Sequence, residues 1–159
     1  LMKIILSSFD REFSAVDARN RELLGLLPDE LLFARPRDTP NSMAMFSCGE
    51  YILRSAAMVE KNFDGIMTRL WDDPFEWTLP EYLSSRENIL RYLNEVEDTR
   101  VRGFGFLTSD SELAQELPAP KEMRPLISIL VETLAKAEHY QGRAFAVFQM
   151  LTDQRLPRI

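Results

Sequence analysis

The sequence predicts an all-α protein, a four-helix bundle. Three observations lead there. Apolar residues recur at three- and four-residue spacing through four long windows, the mark of one buried stripe on each of four helices. Proline-rich or glycine-bearing segments separate those windows, and no window alternates with period two for long enough to make a strand.

The first helix is expected from about Ser8 to Leu27. Ser8 is a candidate cap, and Asp10 and Glu12 fall in the first turn, where the helix dipole favours negative charge. Phe9, Phe13, Val16, Leu23, Leu24 and Leu27 form its stripe, and Pro28 closes it. After a loop with Pro36 and Pro40, the second helix starts at Asn41 or Ser42 and reaches about Leu70. Its stripe holds Phe46, Leu53, Ala57, Val59, Phe63, Ile66 and Leu70. The stretch Trp71–Pro80 cannot be helical throughout, because Pro74 and Pro80 each remove a donor and fix the backbone. Its aromatics Trp71, Phe75 and Trp77 are read as a plug on one end of the bundle, or as a lid or partner surface. The third helix runs from Ser84 or Ser85 to about Arg102, with Ile89, Leu90, Leu93, Val96 and Val101 facing inward and Gly103 and Gly105 ending it. The fourth spans about Arg124 to Thr152, with Pro125 suited to the first turn. Its core face comprises Leu126, Ile127, Leu130, Leu134, Ala137, Ala144, Phe148 and Leu151.

Residues 1–159 are read as one domain, long enough for a single well-buried core. A composition of 45% hydrophobic and 28% charged residues is that of a globular chain and argues against disorder. Acidic residues outnumber basic ones 25 to 19, for a formal charge of −6, and no Lys/Arg-rich stripe offsets it, so nucleic acid is not expected as a partner. The run Ile4-Ile5-Leu6 is too short for a membrane span or a signal-peptide core, so no membrane partner is expected and the expected location is the cytoplasm. Cys48 is alone, which rules out an internal disulfide.

Three segments resemble the DinB/YfiT-like four-helix bundles. Arg21-Glu-Leu-Leu-Gly-Leu-Leu-Pro-Asp-Glu-Leu-Leu32 is similar to the end of that family's first helix. Phe46-Ser-Cys-Gly-Glu-Tyr-Ile-Leu-Arg54 is similar to the start of its second, and Ala137-Glu-His-Tyr-Gln-Gly-Arg143 to the His-His-Arg-Gly-Gln stretch of its fourth. The resemblance implies a site for a divalent metal, with one histidine from the second helix and two, four residues apart, from the fourth. Side chains at i and i+4 stack one turn apart on one face, so both can reach one ion. In this sequence the matching positions are Arg54, Lys136 and Tyr140. His139, the one histidine of the chain, falls beside them. A permanent cation, a second cation and a protonated phenol are poor ligands at neutral pH. No metal and no cofactor are therefore expected here.

The polar residues around those positions form the candidate site: Arg54, Lys136, Tyr140, His139, Glu50 and Glu132. Glu50 with Arg54, and Glu132 with Lys136, have the i,i+4 spacing of helical ion pairs. One reading is a salt-bridge network that stands where a metal would be. The other is a site for a small anionic ligand held by arginine in a bidentate manner. Gly103-Phe-Gly105 lacks the strand and the third glycine of a phosphate loop, and Cys48 is read as a small packing residue. The expected function is that of a non-catalytic bundle, a homodimer as the resemblance implies, binding a small anion or a protein partner. The alternative is a divergent metal-dependent enzyme, a small-molecule or thiol transferase or hydrolase.

Overall fold

Both ends of the first helix are closed by residues remote in sequence, and this sets where it begins. In the computed structural model, which describes residues 2–36, 45–74 and 83–159, α1 spans Ile4–Leu26. It starts a turn earlier than Ser8, which lies inside the helix and donates to the Ile4 carbonyl. No side chain at Lys3 caps it. Instead the Asp110 carboxylate, from a 3-10 turn at Asp110–Ala114, accepts from the amides of Ile5 (3.0 Å) and Leu6 (2.9 Å). A negative charge here satisfies amide groups that have no partner in the helix and meets the positive end of its dipole. At the other end Arg86 donates to the carbonyls of Leu24 and Leu27, and also pairs with Asp29 at 3.0 Å. Asp110→Ala is expected to cost about 1 kcal/mol, the usual worth of a cap. A urea titration against wild type checks it, and an unchanged midpoint refutes the capping role.

Helix α2 spans Cys48–Thr68. The expected start at Asn41 or Ser42 lies outside the described residues. Ser47 caps α2 in a reciprocal box: its hydroxyl accepts from the Glu50 amide at 3.2 Å, and the Glu50 carboxylate accepts from the Ser47 amide at 2.7 Å. Leu70, expected in the stripe, follows the helix and is exposed. Helix α3 covers Arg86–Phe106, with the Ser85 hydroxyl accepting from the Asn88 amide. Gly103 and Gly105 do not end α3; both lie within it. A Cβ on Gly103 would come within 2.4 Å of the Phe63 ring, so this glycine permits the close approach of α2 and α3. Helix α4 spans Leu126–Leu151, with Pro125 just outside it as the flanking residue. Val101, Leu90 and Ile127, expected in the core, are exposed. A two-stranded antiparallel ribbon, β1 (Glu116–Pro118) and β2 (Met123–Pro125), with Leu117 opposite Arg124, precedes α4. At three residues each, these strands are too short to show a period in the sequence.

The four helices form an all-α bundle in which α3 and α4 each pack on both α1 and α2. Register follows from pairs of contacts. Cys48 meets the Ala144 carbonyl and Ser55 that of Ala137, so α2 and α4 are antiparallel. Arg21 reaches Asn94 and Arg100 reaches Asp10, so α1 and α3 are antiparallel too. Tyr92 reaches Glu60 and Gly103 lies against Phe63, so α2 and α3 run parallel, and Thr68 and Arg86 lie toward opposite ends of the bundle. Its first residue of note, Trp71, lies against Gly65 and donates from Nε1 to the Pro118 carbonyl at 3.1 Å. That agrees with the plug reading of Trp71; Phe75 and Trp77 lie outside the described residues. The core holds Phe13, Val16, Leu23, Ile52, Phe63, Ile89, Leu93, Ile129, Leu130 and Phe148, all nearly or wholly buried. No helix of the described residues is long and apolar enough to cross a membrane.

Candidate functional site

The antiparallel seam of α2 and α4 brings three of the six candidate residues into one chain of contacts. Arg54 reaches back toward the helix start, the direction in which helical side chains lean, and its guanidinium lies 3.9 Å from the centroid of Phe46. Phe46 meets Tyr51 edge-on at 5.7 Å, Tyr51 stacks on Tyr140 at 6.5 Å, and Tyr140 meets His139 at 5.6 Å. The His139 Nε2 accepts from the Arg143 Nε at 2.9 Å. The result is a ladder of aromatic rings along the seam, with a cation at each end.

Glu50 is not the partner of Arg54. Its carboxylate is already used by the Ser47 cap and by Arg35 at 3.1 Å. Burial pushes the Glu50 carboxyl upward, but the Ser47 groups and Arg35 outweigh it and hold the carboxyl below its ordinary range. Arg35 also stands 5.9 Å from the Phe46 centroid, on the ring that Arg54 covers. Glu132 and Lys136 do pair, at 2.5 Å, as their spacing predicts, and Arg124 binds the same carboxylate at 2.5 Å. Lys136, followed by Arg124, holds the Glu132 carboxyl below its ordinary value against a partial burial that raises it. Lys136 is half exposed, so this triad is a solvated salt bridge on the outer face of α4. Arg54 differs from both acids and from Lys136. It is half-buried, and among the described residues no carboxylate or carbonyl accepts from it.

A divalent cation does not fit this donor set. The three positions that would hold it present a guanidinium on an aromatic ring, an ammonium held by Glu132, and a phenol stacked on Tyr51. Among the described residues no three His, Cys, Asp or Glu side chains converge. Cys48 is fully buried, its Sγ donates to the Ala144 carbonyl at 3.4 Å, and burial pushes its thiol up to about 12. Such a thiol is an inert packing group. His139, exposed and bonded to Arg143, does not serve it as a base.

Two further polar groupings were not anticipated from the sequence. The first lies inside the bundle. Gln141 donates to the Val16 carbonyl and to Asn20 Oδ1, both at 2.8 Å, and accepts from Arg19 Nε at 2.8 Å. Asn20 donates to Ser55 at 3.1 Å, and Ser55 to the Ala137 carbonyl at 2.9 Å. The available signal was a polar residue in stripe register, since Asn20 continues Phe13–Val16 and Gln141 continues Leu134–Ala137. The second joins α2 and α3, where the Tyr92 hydroxyl donates to Glu60 Oε2 at 2.6 Å. Burial raises the Glu60 carboxyl, opposed by the Tyr92 hydrogen bond and reinforced by Asp64 and Glu95. Comparison with family models, curated proteins and solved structures gives no match for this chain, so the site is read from its own geometry.

Proposed function

We propose that this DinB/YfiT-like bundle is a non-catalytic, metal-free binding protein that takes a small ligand bearing a carboxylate or phosphate at Arg54. One observation carries the reading: the Arg54 guanidinium is half-buried, set over the Phe46 ring, and without an acceptor among the described residues. A guanidinium held over a ring keeps its planar fork of N–H donors, which suits two parallel bonds to an anionic oxygen pair. Tyr51 is buried in the core, and beyond it the half-buried Tyr140 and the exposed His139 continue this side of the bundle.

The test is thermal unfolding with sodium benzoate and with inorganic phosphate, one arm for each anion. A ligand at 100 times its Kd adds about 2.7 kcal/mol, which for a domain of this size raises Tm by roughly 5–10 °C. Arg54→Ala is expected to abolish the shift, and Arg54→Lys not to restore it, because a lysine is a point donor without the planar fork. Lys136→Ala is expected to change affinity by less than about threefold, since Glu132 already neutralises that charge. No saturable shift with either anion, or an undiminished one in Arg54→Ala, would falsify the proposal.

A further inference from the structure

A cleft of about 350 Å³ opens between α2 and α3, on the side of α2 that faces α3 and not α4. Glu60, Leu83, Asn88, Tyr92 and Glu95 line it, with Pro74 at its edge. This volume suits a small organic molecule. Its polar groups are lopsided. Burial, Asp64 and, from α3, Glu95 all disfavour the charged form of Glu60 on α2. No cation lies within 4.0 Å of Glu60 or Glu95 among the described residues. Arg91 also lines the cleft, but its guanidinium is exposed and pairs with Glu87 at 3.5 Å. The Glu60 carboxylate is held in place from one side by the Tyr92 hydroxyl on Oε2, and among the described residues no donor reaches Oε1.

We propose that this cleft binds a protonated organic amine, its ammonium between Glu60 and Glu95 and its apolar arm against Tyr92, Leu83 and Pro74. An ammonium offers three donors and a charge that the two carboxylates otherwise lack. The tyrosine ring and the apolar walls suit a cation with a carbon arm. A hard metal ion suits the cleft poorly: such ions take six or more oxygens, and no three ligating side chains converge among the described residues. This site is independent of the Arg54 face.

Isothermal titration of the intact chain with phenethylammonium chloride at pH 7 tests the proposal, with 2-phenylethanol as the uncharged analogue and calcium chloride as the metal arm. Saturable binding of the amine is expected, with no binding of the alcohol or of calcium. Glu60→Gln is expected to weaken the amine at least tenfold and Glu95→Gln about threefold, whereas Arg54→Ala binds it as wild type does. Glu60→Gln keeps an acceptor for Tyr92 and removes a half-buried charge, so its Tm is expected to hold or to rise by about 2 °C, and misfolding does not confound the result. Glu95 is exposed, and its variant provides a second folded comparison. Four results overturn the site: no saturable amine binding, equal binding by Glu60→Gln, equal binding of the alcohol, or calcium that displaces the amine.

Discussion

Phe63→Ala is expected to lower the free energy of unfolding by about 3–5 kcal/mol, the range for truncating a fully buried phenylalanine, and to lower Tm by roughly 10 °C or more. Phe63 is wholly buried. It meets Phe13 edge-on at 5.3 Å and Phe104 at 5.1 Å, so one ring from α2 sits between α1 and α3. It also lies against Gly103, where an added Cβ would come within 2.4 Å of the ring. Gly103→Ala is therefore expected to destabilise wild type by about 1 kcal/mol, even though alanine is favoured over glycine in a helix by a similar amount. In the Phe63→Ala background the same change has room for its Cβ and is expected to become neutral or stabilising. A double-mutant cycle by urea denaturation isolates this coupling. Additive effects would show that Gly103 has no steric tie to Phe63.

The same pair shows what a sequence can and cannot disclose. Periodicity found all four helices and most of their buried faces, because burying an apolar stripe is the dominant contribution to helix stability in a protein. Helix ends depend on groups that need not be local. The amides of α1 are satisfied by Asp110, so Ser8 was a poor guide to its start, whereas Pro28 marked its finish correctly, with Leu27 as the flanking residue. Gly103 has the look of a terminator, but its reason lies 40 residues away in Phe63. The candidate site was partly legible. Helical spacing paired Glu132 correctly with Lys136, whereas Arg54 and Tyr140, set together by the family resemblance, are joined only through Phe46 and Tyr51. The i,i+4 rule failed for Glu50 because Ser47-Cys-Gly-Glu50 is a capping box, a local signal that outranks an exposed ion pair. Glu60 and Tyr92 come from different helices, so no spacing within one helix could have joined them.

Gln141→Leu is expected to cost about 2–4 kcal/mol although leucine keeps the apolar volume. The side chain is almost fully buried, and its loss leaves the Asn20 carbonyl oxygen and the Arg19 Nε without their partner. A buried polar group left unmatched costs about 1–3 kcal/mol, far more than the net worth of the bond itself. The converse follows from the same asymmetry. Replacing the network as a whole, in Asn20→Leu with Ser55→Ala and Gln141→Leu, leaves only the Arg19 Nε unmatched and is expected to recover part of the lost stability. Urea midpoints of the single and triple variants decide it. A single variant within 0.5 kcal/mol of wild type, taken as about a third of one unmatched group, would show the network to be dispensable. The proposed Arg54 site adds a second readout. Ala137 and Gln141 carry the network inward on the same turns of α4 that present Tyr140, and Ser55 adjoins Arg54 on α2. The network thus holds the register in which Tyr51 stacks on Tyr140. Gln141→Leu is accordingly expected to weaken anion binding at Arg54 several-fold without touching the anion, an effect that Lys136→Ala, on the solvated side of α4, should not reproduce.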